Sequence, residues 1–201
     1  MAPQLASDHP ISVDEYLAGE RDGEVRHEYV GGHVYAMTGA SARHALIVTA
    51  LTLLLGPRAR ERRCQLFTND MKVHIRTAGE DAFYYPDLLL SCDPQDRAEY
   101  YRERPCLIVE VLSEATERID RMEKRYAYTT LASLHEYVLV SQDRPRIEIY
   151  RRTGDDWTHE IIDQDTFRLD CLDLEIPLEA VYQDVADEIG GPGSGDAHSP
   201  R

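Results

Sequence analysis

The chain has 201 residues, enough for one domain with a full hydrophobic core and short for two. Its 42% hydrophobic and 29% charged residues are ordinary for a soluble globular protein, and no run approaches the ~18 apolar residues of a membrane span. A formal net charge of −15 argues against a broad basic surface that would coat itself with nucleic acid, so any nucleic-acid role must be local.

The start, "MAPQLASDHPISVDEYL", has neither a basic head nor an apolar core, which makes a cytoplasmic location the default expectation. Residues 1–10 read as a flexible N-terminus and 189–201, with "GGPGSGDAHSPR", as a disordered tail, leaving one domain over 11–188. Within it, "SVDEYLAGE" predicts a short helix capped by Ser12, with Glu15 at the capping-box position. "EVRHEYVGGHVYAM" (24–37) predicts a β-hairpin turning at Gly31-Gly32. "SARHALIVTALTLLLGPRARERR" follows, with Leu46, Ile47, Ala50, Leu51, Leu54 and Leu55 at helical steps that run until Gly56-Pro57.

Next, "CQLFTNDMKVHIR" (64–76) reads as extended, Met71, Val73 and Ile75 alternating with Lys72, His74 and Arg76. "AFYYPDLLLSC" and "CLIVEVLS" are short apolar runs of central-strand type. A helix is expected over 114–132, with Ser113 or Thr116 as its cap. Strands follow at "HEYVLVS" and "RIEIYRR" about the turn "QDRP", and shorter ones near 157–162 and 166–170. This order predicts an α/β fold, a mixed β-sheet flanked by helices. The four cysteines are far apart in sequence with no C-x-x-C pair, and are expected to be buried free thiols.

Two of the apolar runs carry a single acid, Asp87 in "YYPDLLLS" and Glu110 in "CLIVEVLS". An ionised carboxylate removed from water must be paired, protonated or bound to a metal. Pro86 has no N–H, so a strand should begin or bend beside Asp87. Alternation puts Glu110 on the face of Ile108 and Leu112, with Val109 and Val111 on the other. On neighbouring strands the two acids would make a hard-cation site suited to Mg²⁺ or Mn²⁺. On the following helix, Ile119, Met122, Tyr126, Ala127 and Leu131 outline an apolar sector with Lys124 at its edge. There Lys124 could reach the acids or simply pair with Asp120 one turn away.

These residues resemble a known family. "YYPDLLL", "CLIVEVLSEATERIDRMEKRYAY" and "LHEYVLV", with the upstream "HEYVGGHVYAMTGAS" and His44, are similar to the Uma2 family of restriction-endonuclease-like proteins in the PD-(D/E)xK nuclease superfamily, over about 12–185. The resemblance implies a restriction-endonuclease-like fold in which Asp87 and Glu110 are the metal-binding acids. The superfamily's usual lysine position is occupied here by Leu112, and the resemblance implies that Lys124 takes that role. Glu28 and His44 match two further polar positions, although His44, one turn before Ile47 and Val48, also suits a hydrogen-bonded core histidine.

The expected activity is Mg²⁺- or Mn²⁺-dependent hydrolysis of phosphodiester bonds in nucleic acid, DNA above RNA. The metal would rest on Asp87, Glu110 and the Val111 carbonyl, with Glu28, His44 and Asp120 as accessory groups. Basic clusters at 57–63, 101–105 and 118–125 read as solvated faces or, for the last two, as guides for DNA. No membrane partner is expected, and cutting both strands of a duplex would suit a homodimer. A catalytically inactive nuclease-fold module that binds nucleic acid or protein is the alternative. A third arrangement would place a metal on His27, His33 and His44, two of which flank the Gly-Gly turn.

Overall fold

Pro86 divides one apolar segment between two sheets. With no N–H to give a ladder, it lies between a strand ending at Tyr84 and another starting at Leu88, and the two belong to different sheets. A computed structural model describes residues 4–5, 9–77 and 79–189; the expected tail from 190 onward and most of the first eight residues lie outside these.

In chain order the elements are β1 (Gln4–Leu5), α1 (Val13–Asp22), β2 (His27–Val30), β3 (His33–Ala36), α2 (Ala42–Glu61), β4 (Gln65–Thr68), β5 (Lys72–Thr77), β6 (Glu80–Tyr84), β7 (Leu88–Ser91), β8 (Tyr101–Arg102) and β9 (Leu107–Leu112). A helical stretch follows as α3 (Glu117–Ile119), a π-helical turn (Asp120–Lys124) and α4 (Arg125–Thr129). Then come β10 (Glu136–Ser141), β11 (Ile147–Thr153), β12 (Asp156–Ile162), β13 (Thr166–Leu169), β14 (Leu174–Pro177), α5 (Leu178–Tyr182), a 3₁₀ turn (Gln183–Val185) and α6 (Ala186–Ile189). The first sheet has the order β1-β3-β2-β6-β5-β8, the second β12-β11-β10-β9-β7-β4, and β13 and β14 form a separate ribbon.

The second sheet is central. Ile47, Val48, Leu51 and Leu55 of α2 pack on one face, against Leu88, Leu90, Val109 and Val111. The other face carries Leu89, Ile108, Leu112 and Leu139 against Val73, Ile75 and Tyr84 of the first sheet and Tyr128 of α4. Its middle strands are therefore buried on both sides, which is why β7 and β9 read as continuous apolar runs. The parallel pair β9 and β10 is joined through the α3–α4 stretch, a crossover that leaves the end of β9 open to that helix.

Several expectations hold in detail. Ser12 caps α1 in a capping box, its hydroxyl accepting from the Glu15 N–H at 3.2 Å, and the hairpin turns at Gly31-Gly32. Others need correction. α2 continues through Pro57 to Glu61. The carbonyl that Pro57 leaves unpaired belongs to Leu53, whose side chain is 69% exposed, and the last turn is held by buried Ala59 and by Arg58, which donates to the Leu172 carbonyl at 3.0 Å. On β5, Lys72 and His74 are buried along with Val73 and Ile75, because α1 covers the polar face: Lys72 donates to the Tyr85 hydroxyl at 3.1 Å, which donates to Glu20 of α1, and His74 stacks on Phe83, which packs on Tyr16 of α1.

The cysteines are not free thiols. Cys64 is bonded to Cys92 and Cys106 to Cys171, since strand pairing brings together residues that are distant in sequence. The apolar sector expected on 114–132 is also displaced: Met122 and Tyr126 are 59% and 76% exposed, while Asp120, Lys124 and Tyr128 are buried. The wider π turn rotates the polar residues inward. Among the described residues, no helix is long and apolar enough to cross a membrane.

Candidate active site

β7 and β9 run antiparallel with Leu88 opposite Val109 and Leu89 opposite Ile108. One step further along the same register, Asp87 stands opposite Glu110. Directly opposed residues share a face, and the Asp87 N–H lies 3.4 Å from Glu110 Oε2. Asp87 Oδ2 accepts the Val111 N–H at 2.7 Å, and Asp87 Oδ1 is 2.9 Å from His44 Nε2. His44 reaches it from the first turn of α2, whose N-cap Ser41 accepts the His44 N–H at 3.1 Å. A strand residue turns its N–H and C=O to the same side, so the Val111 carbonyl also faces the Asp87 side.

The π turn completes the group. Lys124 Nζ is 2.9 Å from Glu28 Oε1, 3.2 Å from Glu110 Oε1 and 3.3 Å from Asp120 Oδ1, and Tyr128 donates to Glu110 Oε1 at 3.0 Å. Glu28 arrives from β2, where it also takes the Tyr85 N–H at 3.4 Å. Every candidate from the sequence, Glu28, His44, Asp87, Glu110, Val111, Asp120 and Lys124, lines one cleft of about 1020 Å³. Tyr85, Ser113, Thr116 and Gln142 line it too; no periodicity marks them, although Tyr85 sits inside the "YYPD" segment. The histidine arrangement is not assembled: His27 pairs with Glu20 at 2.9 Å while His44 serves Asp87.

Charge in this cleft is unbalanced. Three carboxylates, Glu28, Glu110 and Asp120, surround one ammonium, and a fourth, Asp87, stands beside Glu110. Burial pushes the Glu110 carboxyl well above the usual range, against the pull of Lys124, and raises Asp120 in the same way. Burial opposes the charge on Lys124, but Glu110 and Glu28 outweigh it and hold that lysine well above its ordinary pKa. A buried excess of hard oxygen donors must take up protons or a cation, and oxygen donors of this kind suit Mg²⁺ or Mn²⁺. The donor set therefore fits the metal that the family resemblance implies.

The basic clusters are largely engaged inside the fold. Arg58 and Arg62 pair with Asp173, Arg102 donates to the Tyr101 carbonyl and Gln65, Arg104 pairs with Asp93, and Arg121 with Glu117 and Glu148. They read as structural ion pairs before they read as a DNA track.

Residues 13–179 match the family model described as "Uma2: Putative restriction endonuclease". The chain belongs to the Uma2 family. Two relatives come from Synechocystis sp.: "Uncharacterized protein slr1290" is 33% identical, covering 88% of this chain and 93% of that one, and "Uncharacterized protein sll1609" is 30% identical, covering 75% and 86%. A crystal structure from Anabaena variabilis, described as "a putative nuclease belonging to DUF820", superposes with a TM-score of 0.71 at 16% identity over 87% of this chain and 98% of that one. At that identity the likeness establishes the fold. The Uma2 assignment and this neighbour together support the restriction-endonuclease-like architecture expected from the sequence.

Proposed function

We propose that this Uma2 protein is a metal-dependent endonuclease that hydrolyses phosphodiester bonds in DNA. The observation that carries the reading is the cross-strand pair Asp87 and Glu110, set beside Lys124 at the floor of an open cleft. Asp87, Glu110 and the Val111 carbonyl would hold Mg²⁺ or Mn²⁺, which lowers the pKa of water and stabilises charge on a phosphate. His44 and the Val111 N–H fix the direction of the Asp87 carboxylate. Lys124, kept protonated by its carboxylate neighbours, is placed to offset charge that develops on the phosphorane or to orient the attacking water. Tyr128 keeps Glu110 aimed toward the cleft, and Glu28 and Asp120 hold the ammonium in place.

One observation favours a second reading, a catalytically inactive module that binds nucleic acid or protein. Each candidate side chain already has a partner within the cluster, with Lys124 shared among three acids. Calorimetric titration of Mn²⁺ and Mg²⁺ into wild type and Asp87→Ala, beside supercoiled-plasmid nicking on the same folded preparations, separates the two. Binding and nicking that are both lost in the variant support the nuclease. A wild type that neither binds metal nor nicks supports the inactive module.

A further inference from the structure

The strands that carry Asp87 and Glu110 carry cysteines at their other ends. Gln65 pairs with Ser91, so Cys64 and Cys92 form the next position of the β4–β7 register, and Leu90 pairs with Leu107, which puts Cys106 opposite Ser91. Cys171 enters from the β13–β14 turn, its N–H donating to Glu136 Oε2 at 2.9 Å. Three of the sulfurs meet at one place, and the fourth, that of Cys64, is bonded to one of them, Cys92. Cys92 Sγ is 3.5 Å from Cys106 Sγ, across from its own disulfide partner, and the sulfurs of Cys92, Cys106 and Cys171 all lie within 4.8 Å of one another. All four cysteines line a single cavity of about 570 Å³.

Two cross-links stabilise a chain by closing loops, and nothing in that role requires the bonds to touch. A four-sulfur metal centre does require it: with Zn–S bonds of ~2.3 Å, the sulfurs of a tetrahedral centre are about 3.8 Å apart. The same cavity is lined by Arg62, Arg151 and Arg152 together with Glu136 and Asp170, and Arg151 is paired with both of these acids. Soft sulfur donors select a different ion from the oxygen donors of the cleft.

We infer that the reduced protein holds one zinc-class divalent cation on Cys64, Cys92, Cys106 and Cys171. The two disulfides are the oxidised form of that site. Each accepts two electrons and two protons from a dithiol reductant, which leaves as its own disulfide. The four thiols then release four protons as the dication binds. Since Cys92 follows β7 and Cys106 precedes β9, the metal-bound form would tie together the two strands that position Asp87 and Glu110, whereas the disulfides tie β7 to the start of β4 and β9 to the β13–β14 turn.

The test is a Co²⁺ titration of the full chain, anaerobically reduced with a dithiol. One thiolate-bound Co²⁺ per chain is expected, with sulfur-to-cobalt charge-transfer absorption and intense tetrahedral d–d bands that saturate at one equivalent, both bleached by Zn²⁺. They should be absent from the oxidised protein, unchanged in Asp87→Ala, and lost in Cys106→Ser and Cys171→Ser. A folded reduced chain with four titratable thiols and no thiolate bands would overturn the inference. So would bands that survive both serine substitutions, or a reduced chain that unfolds and does not recover its circular dichroism on adding Co²⁺.

Discussion

His44 Nε2 lies 2.9 Å from Asp87 Oδ1, so the first turn of α2 orients a carboxylate at the start of β7. A group that holds a metal-binding acid in this way typically changes metal affinity about 10–100-fold when removed. His44→Ala is expected to weaken Mn²⁺ binding by that factor with little change in fold. Calorimetry against wild type measures it, and equal affinities would sink the orienting role.

Lys124 is the one ammonium among Glu28, Glu110 and Asp120. Removing one partner of a buried charged group typically costs about 3–5 kcal/mol, and Lys124→Met should lose stability on that scale at neutral pH. Burial raises the Glu110 and Asp120 pKa values, so protonation relieves the repulsion and the loss shrinks as pH falls. Urea unfolding at several pH values reads this out. A loss that grew with acidity would contradict it.

Glu148 accepts two hydrogen bonds from Arg121, both at 2.8 Å, and the Arg121 guanidinium holds its carboxyl below the usual range despite partial burial. A depressed folded pKa gives stability that is present above the unfolded value, ~4.3, and lost as pH falls through the folded one. Glu148→Gln should cost about 2 kcal/mol at neutral pH, and the gap to wild type should close in acid. A gap independent of pH would rule out the ion pair as its source.

Pro57 sits inside α2 and denies a hydrogen bond to the Leu53 carbonyl. Pro57→Ala restores that donor while freeing the unfolded chain, two opposing effects of which the first is larger in a helix interior. The variant should be more stable by about 1–2 kcal/mol in thermal or urea unfolding. Unchanged or lower stability would show that the proline is needed for packing Ala59 and Arg58.

Local chemistry was legible from the sequence wherever one short segment contained the whole cause. The Ser12 capping box, the Gly31-Gly32 hairpin and the break at Pro86 each depend on a few adjacent residues and stand as expected. The face of Glu110 followed from strand alternation, and the loneliness of two acids in apolar runs pointed to a shared site before any contact was known. The Uma2 assignment rested on the same motifs.

Tertiary structure decided what depends on which surfaces meet. The second sheet covers one face of β5 and α1 lies over the other, so alternation there did not separate inside from outside. The π turn moved Asp120, Lys124 and Tyr128 inward because Glu110 and Glu28 wait on the other side, a cause located up to a hundred residues away. For the cysteines, spacing along the chain carried no pairing information. Register between β4, β7 and β9 brought Cys64, Cys92 and Cys106 together, because strand pairing sets distance in space without regard to distance in sequence, and the β13–β14 turn, held on Glu136, delivered Cys171.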